Sequence, residues 1–400
     1  MNQHLKAVKI SDKVYWVGAI DWTMRDFHGY DTRRGSTYNA FLVVGEKPVL
    51  IDTVKAPFKD ELLTRISSIT DPKRIRYIIS NHTEMDHSGC LPDLIEFIKP
   101  EKVFASINGA DALNEHFKLS QALTPVKDGE TIDLSGLKFT FLEAKMLHWP
   151  DSMFSYLNDE KILFSSDAFG MHLASSERFD DEIDEAILEY ESAKYYANII
   201  LLYSPVVLKA LERVSKLGIE LKMIAPDHGP IWRKNQSRII ELYKKWAEQK
   251  PSLKAVVVYD TMWNSTGKMA KAISDGLSSS GISVKLMKLR EDHRSDVITE
   301  ILDAGAIIVG SPTLNNNIFP TVADLLVYLK GLRPKNKIGA VFGSYGWSGE
   351  SVRHLKEKLE EMKIPVVAEV QSKYVPSAEV LEQCFAMGAQ VAEKLKEVCK

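Results

Sequence analysis

The chain has 400 residues, 45% of them hydrophobic and 26% charged, a balance that excludes a disordered polymer and provides for two or three folded domains. Its 51 basic residues against 54 acidic ones leave a net charge of −3, which argues against a nucleic-acid partner or a polybasic membrane contact. The most apolar stretch, Tyr195 to Leu208, is interrupted by Asn198 and Pro205 and is too short and polar to span a bilayer. The three cysteines, Cys90, Cys384 and Cys399, have no C-x-x-C spacing and cannot form a disulfide framework. With no basic-then-apolar leader pattern in MNQHLKAVKISDKVYWVGAI, the expected location is a reducing cytoplasm.

In chain order, short β-branched and aromatic runs predict strands at Val14–Val17, Asn39–Val44, Val49–Asp52, Ile75–Ser80, Lys138–Glu143, Phe154–Leu157 and Lys161–Ser165. Helical patterns fall between them at Lys59–Ser68 and Ala110–His116. Such alternation predicts packed αβ layers.

One stretch stands out: SNHTEMDHSGC, Ser80 to Cys90, follows directly on an apolar run. His82, Glu84 and Asp86 are spaced by two, which in an extended segment sends all three side chains to one side. His87 follows where the chain is expected to turn towards a helix starting near Leu91. His148 comes after the strand ending FTFLEA, Asp167 after KILFSS and His228 after LKMIAP. Any one of these is most simply a cap or a turn former. All seven buried together without a cation would be costly, so the set predicts two metals sharing a bridging carboxylate.

Ser237–Gln249 reads as a closing helix and Lys250–Pro251–Ser252 as a junction. Beyond it the texture changes to buried parallel-type strands, LKAVVVYD, AIIVGSP and KIGAVFGSYGWSGE among them. Helices are expected at Lys268–Ser279, near Ser295–Ala304, after Pro320 and from Glu350, with a last strand PVVAEV. In YDTMWNSTGKMA, the hydroxyls of Thr261, Ser265 and Thr266 and a helix N-terminus offer an anion site, with Met262, Trp263 and Asn264 in the same loop. It is not a Walker loop, because the first Gly is missing and Met269 follows Lys268. GSPTLNNN, Gly310 to Asn317, forms a second loop after a strand, with Ser311, Pro312, Thr313, Leu314 and Asn315 as candidates. Gly343, Ser344, Tyr345, Gly346, Trp347, Ser348 and Gly349 form a third, able to approach and stack on a flat ring. Three such loops at parallel-strand ends point to one ligand.

The motif H-x-E-x-D-H with later His, Asp and His resembles the metallo-β-lactamase fold, with Glu84 where hydrolases generally carry His. A carboxylate there shifts preference from zinc towards iron or manganese. Joined to a flavodoxin-like half, the chain resembles the flavodiiron proteins over essentially its whole length. The fold class implied is α/β, an N-terminal αββα metallo-β-lactamase-like sandwich (1–250) followed by a flavodoxin-like doubly wound parallel sheet (251–400). The resemblance further implies FMN and two non-haem irons. His82, Glu84 and His148 would hold one iron, and Asp86, His87 and His228 the other, with Asp167 bridging. Trp263 and Asn264 replace a hydroxyl and a Gly of the usual flavodoxin loop, leaving backbone contacts in place.

His28 and Tyr195 are the expected donors above the metals, with Tyr196 the alternative register. His172 is expected to be a packed loop residue. His4, His116, His293 and His354 are expected at the surface, and the acidic run Glu177–Glu191 as a solvated helix face. The resemblance implies a reductase of dioxygen to water, or of nitric oxide to nitrous oxide. It also implies a head-to-tail homodimer or tetramer, and a separate rubredoxin or flavin/NADH reductase as donor. The alternatives are a two-metal zinc hydrolase with an accessory flavin domain and a non-catalytic electron carrier with structural metals. Glu84 and the flavin loops argue against the first. The second ranks last because closed thiolate sites make better staples.

Overall fold

The computed structural model describes residues 5–400; His4 lies outside the described residues. The chain divides into two compact units, Met1–Tyr195 with Pro205–Lys244, and Tyr196–Ser204 with Lys245–Lys400. Among the described residues, no helix is long and apolar enough to cross a membrane.

The first unit contains a seven-stranded and a five-stranded sheet. The seven-stranded sheet runs in the order Val8–Lys9, Val14–Trp16, Phe41–Val43, Val49–Ile51, Tyr77–Ser80, Lys102–Ser106 and Thr124–Val126. Its first half is antiparallel, and pairing becomes parallel from Val49–Ile51 onward. The five-stranded sheet is Thr131–Asp133, Lys138–Glu143, Met153–Leu157, Ile162–Phe164 and Met223–Ala225, with only the last pair parallel.

Alternation along the strands sorts side chains into two cores. Phe41, Val49, Ile51, Ile79 and Phe104 face Phe139, Phe141 and Phe164 of the other sheet. The intervening Leu42, Leu50, Ile78 and Val103 face Leu62, Ile66, Leu94, Ile98 and Leu113 on the helices Lys59–Ser67, Leu91–Ile98 and Ile107–Phe117. Each such side chain contributes roughly 1.5–3 kcal/mol on burial. A one-residue slip would exchange the two sets, so the register is strongly specified. In the five-stranded sheet, the parallel pairing of Phe164 with Ala225 sets the strand ends before Asp167 and His228 side by side.

The second unit is a parallel sheet in the order Ser283–Lys288, Ser252–Tyr259, Ala304–Leu314, Ile338–Tyr345 and Val366–Lys373. The order reverses between Ser252–Tyr259 and Ala304–Leu314, where doubly wound sheets open a crevice at their carboxyl ends. Helices Ser265–Ser279 and Ala378–Val398 cover one face, burying Met269, Ile273, Leu277, Met387, Val391 and Leu395. They approach so closely that a Cβ on Gly276 would lie 2.1 Å from Phe385 O, so nothing larger than glycine fits there. Tyr196–Ser204, a π turn and a 3-10 turn, packs in this unit, where Asn198 donates to Ser295 O at 3.1 Å and accepts from Tyr328 at 3.0 Å.

Several elements differ from expectation. The strands Lys102–Ser106, Thr124–Val126 and Thr131–Asp133 and the helix Ala378–Val398 were not expected. The last strand runs to Lys373 instead of Val370. Helix Ser265–Ser279 starts three residues before Lys268, because Asn264 adopts a left-handed φ of 66° as its N-cap.

Candidate metal centre and flavin site

His82 lies just beyond the strand Tyr77–Ser80, but the extended phase does not persist through Asp86. A helical turn, Met85–Ser88, begins after Glu84, whose carbonyl accepts from His87 N at 3.0 Å and Ser88 N at 2.9 Å. Asp86 and His87 are therefore presented by a helix turn, and His82 and Glu84 by extended chain. The ligand types still converge, from two backbone geometries.

One group gathers His82, Glu84, His148 and Asp167, and a second Asp86, His87 and His228, with the candidate atoms of each within 4.8 Å of one another. Asp167 faces both groups. Its Oδ2 lies 3.0 Å from His148 Nε2 and 3.3 Å from His82 Nε2. Its Oδ1 lies 3.2 Å from His87 Nε2 and 3.5 Å from His228 Nε2. Glu84 Oε2 closes the first group at 3.4 Å from His82 Nε2, and Asp86 Oδ2 the second at 3.2 Å from His228 Nε2. A third group links His87, Asp167 and Asp227.

Electrostatics explains what this cluster needs. Burial opposes charge on His82 and His87. The Asp151 and Glu84 carboxylates around His82, and Asp86 and Asp167 around His87, outweigh burial and raise both imidazoles well above their usual range. Burial likewise pushes Asp167 up, but His87 and His148 hold it far below the usual carboxylate value. His82 Nε2, His87 Nε2, both Asp86 oxygens and Asp167 Oδ1 are buried without a hydrogen-bond partner. Such orphaned atoms are expensive unless something binds them. Two divalent cations would take the place of the imidazole protons. The donors are nitrogen and carboxylate oxygen with no thiolate, which fits iron.

His28 reaches the rim, with Nε2 3.4 Å from Glu84 Oε1 and its side chain 77% exposed. Tyr195 is buried against the cluster, its ring 5.1 Å from His172 and 6.1 Å from His228. Burial, then the negative charge of Asp167, holds its phenol well above the usual range. Tyr196 instead pairs with Ser204 Oγ at 3.0 Å. His172 is more than a packed loop residue: it is buried 4.6 Å ring-to-ring from His228, with Nδ1 2.8 Å from Ser36 Oγ. Of the histidines expected at the surface, His116 is exposed, while His293 and His354 are half-buried. Asp151 and Trp149 were not among the expected residues, although both share a loop with His148. Asp151 Oδ2 lies 3.0 Å from His82 Nδ1.

At the carboxyl ends of the parallel strands lies a cavity of about 430 Å³. The first loop lines it with Met262, Trp263 and Ser265; Pro312, Thr313 and Leu314 line it from the end of the strand Ala304–Leu314, and Asn315 and Asn316 from the turn that follows. Ser344, Tyr345, Gly346, Trp347 and Ser348 come from the third. Tyr374 and Val375 complete the lining. They were missed because the last strand was expected to end too early to bring its following loop here.

Thr261, Asn264, Thr266, Ser311, Gly343 and Gly349 are not among the lining residues. Thr266 Oγ1 meets Ser344 Oγ at 2.9 Å, Thr261 N donates to Asp260 at 2.7 Å, and Ser311 Oγ accepts from Phe319 N at 2.9 Å. A Cβ on Gly343 would lie 2.5 Å from Ser311 O. One on Gly349 would strike the Gln371 side chain. Asn264 caps the helix. The cavity size suits a mononucleotide. The first N–H groups of helix Ser265–Ser279 are left free of intrahelical bonds by helix geometry. The buried Thr261 hydroxyl has no hydrogen-bond partner.

Comparison with known proteins matches this geometry to the whole chain. Residues 36–229 match a family described as ODP family beta lactamase, and residues 257–388 match flavodoxin. A nitric oxide reductase of Moorella thermoacetica is 47% identical, covering 98% of this chain and 99% of its own. A rubredoxin-oxygen oxidoreductase of Megalodesulfovibrio gigas is 48% identical with the same coverage. The crystal structure of the flavodiiron protein from Giardia intestinalis superposes with a TM-score of 0.96 at 34% identity, covering 99% of this chain and 98% of that one.

Proposed function

Because the chain belongs to the flavodiiron proteins, it is an oxidoreductase built around FMN and a non-haem di-iron centre, and we propose the following assignment of its residues. His82, Glu84 and His148 hold one iron; Asp86, His87 and His228 hold the other; Asp167 bridges. The observation that supports this most is the division of Asp167, one oxygen towards His148 and the other towards His87. The zinc-hydrolase reading falls with family membership.

Residues 1–250 are assigned to the metal domain and 251–400 to the flavin domain, with 196–204 and 245–250 packing in the second unit. In the latter, Ser265 and the first N–H groups of its helix receive the phosphate. The second and third loops receive the ring system, with Thr261, Thr266, Ser311, Gly343 and Gly349 setting their shape. Bound FMN and iron supply the redox chemistry by which electrons reduce dioxygen to water or nitric oxide to nitrous oxide.

Both reductions consume protons, and the chain provides donors. Tyr195, its phenol held above the usual range, keeps its proton at neutral pH and can donate a hydrogen bond into the cluster. His28 stands where solvent meets Glu84 and can carry protons inward. Phe27, Trp149 and His172 wall the cluster with rings, limiting water.

A rubredoxin or a separate flavin/NADH reductase is the proposed donor; the Megalodesulfovibrio gigas relative carries rubredoxin in its name. A head-to-tail homodimer, or a tetramer of such dimers, is the proposed assembly. Trp263 and Trp347 stand 91% and 86% exposed at the flavin cavity, and Met85 is an exposed apolar residue amid the metal-ligand motif. Such surfaces are covered in a stable assembly. All three cysteines are free, as a reducing cytoplasm would keep them.

The test is metal and flavin analysis followed by anaerobic photoreduction, then addition of oxygen or nitric oxide while the flavin spectrum is followed. Two irons and one FMN per chain, with reoxidation by either gas, are expected. Zinc in place of iron together with ester or lactam hydrolysis would overturn the reading.

A further inference from the structure

The loop between the strands Lys138–Glu143 and Met153–Leu157 does more than deliver His148. His82 is wholly buried, and its two ring nitrogens face different partners. Nε2 lies 3.4 Å from Glu84 Oε2 and 3.3 Å from Asp167 Oδ2, on the side of the metal cluster. Nδ1 lies 3.0 Å from Asp151 Oδ2, on the opposite side. The same carboxylate oxygen accepts from Thr83 N at 2.7 Å, and Ser106 Oγ donates to the Asp151 carbonyl at 2.6 Å. Trp149 stands edge-to-face against the His82 ring at 5.2 Å. Asp151 is only 3% exposed, so water competes little for its oxygens.

We propose that Asp151 is a positioning residue for the iron on the His82 side, holding the His82 proton on Nδ1 so that the Nε2 lone pair faces the metal. The step rests on the ligand assignment above. A neutral imidazole has one N–H, and its other nitrogen is the acceptor or ligand. A carboxylate behind Nδ1 selects the tautomer, fixes the ring plane and strengthens the ring as a donor.

His228, on the other side, meets the same need with an uncharged partner, its Nδ1 lying 2.6 Å from Thr37 O. His87, in the same group as His228, has its Nδ1 3.9 Å from Asp227 Oδ2, beyond hydrogen-bond reach, so the close carboxylate contact behind a ring is the one between Asp151 and His82.

The experiment compares the full-length, FMN-loaded wild type with Asp151→Asn and Asp151→Ala. Each is stripped of metal and titrated anaerobically with ferrous iron against a chelator. Iron-57 Mössbauer spectra, midpoint potentials and thermal unfolding with and without iron are recorded. Asp151→Ala should weaken one iron site by about 10–100-fold and leave the other unchanged. Asp151→Asn keeps an acceptor oxygen but no charge, so it should lose less affinity and raise the potential of one iron only. Its stability loss should be larger with iron than without, since a mere clamp on Thr83 would cost the same in both. Variants with wild-type affinities and spectra, equal losses with and without iron, or equal shifts of both irons would each overturn the proposal. If the wild type itself takes up no iron pair, the ligand assignment falls and this step with it. If the wild type loads two irons and the variants match it, this step alone falls.

Discussion

Asp167 turns its Oδ1 towards His87, 3.2 Å from Nε2, although 80 positions separate the two residues in the chain. The other oxygen of the same carboxylate is committed to His148 and His82. A single rigid group therefore spans both halves of the cluster, which makes it the residue whose loss should be felt by both metals.

Replacing Asp167 with Ala should abolish the iron pair, because two cations held close repel each other with less compensation once the shared anion is gone. Turnover should fall by more than about 100-fold, beyond the typical loss from an outer partner of a ligand. FMN should stay at one per chain, since its cavity is lined entirely by residues from 262 onward. Iron analysis beside flavin absorbance checks this, and two retained irons with normal turnover would refute the bridge.

If each flavin serves the metals of the other chain, two dead variants should help each other. Ser265→Asp places a carboxylate at the proposed phosphate position and should release FMN, while Asp167→Ala lacks iron. Random assembly makes half the dimers mixed, each with one of two pairings intact, so activity should return to about a quarter of wild type. Mixed dimers that assemble and stay inactive would show that electrons do not cross between chains.

Tyr195→Phe and Tyr196→Phe should part company. The first removes a donor beside the cluster and should slow turnover while iron and FMN remain bound. The second removes the hydroxyl that meets Ser204 Oγ and should cost about 1 kcal/mol of stability with turnover unchanged. Steady-state rates and melting curves on both variants decide it, and equal turnover losses would contradict the placement.

Lys337 makes a pH prediction. Burial pushes its amine down to about 8, with Asp303 opposing, and the amine donates to the carbonyls of Leu302 and Ala304. An unfolded lysine titrates near 10.4, so between about pH 8 and 10.4 the unfolded chain binds the extra proton. Stability from this group must then rise with pH across that window and be flat below it, by about 3 kcal/mol in total. Lys337→Met should remove that rise. Denaturant unfolding at pH 7.5 and 10 for both proteins measures the difference, and an unchanged slope would refute it.

Local chemistry made much of this protein legible. Alternating apolar runs marked the strands, since a side chain's face follows from its position parity. Four candidate ligands within six residues, with His148, Asp167 and His228 each after a strand-like run, marked the metal cluster. Loops after parallel strands marked the flavin cavity. What lay in direction and distance did not show. The turn at Met85 changed the presentation of Asp86, because a helix rotates successive side chains by about 100° and a strand by about 180°. Tyr195 and Tyr196 are alike as letters, yet the chain passes from α to π geometry between them and sends their rings to different neighbours. Asp151 looked like an ordinary loop acid until folding set it behind His82. Residue types and spacing thus determined which groups could meet. Which oxygen faced which nitrogen was decided by tertiary structure, because hydrogen-bond and ligand geometry depends on fractions of an ångström that only the packed backbone sets.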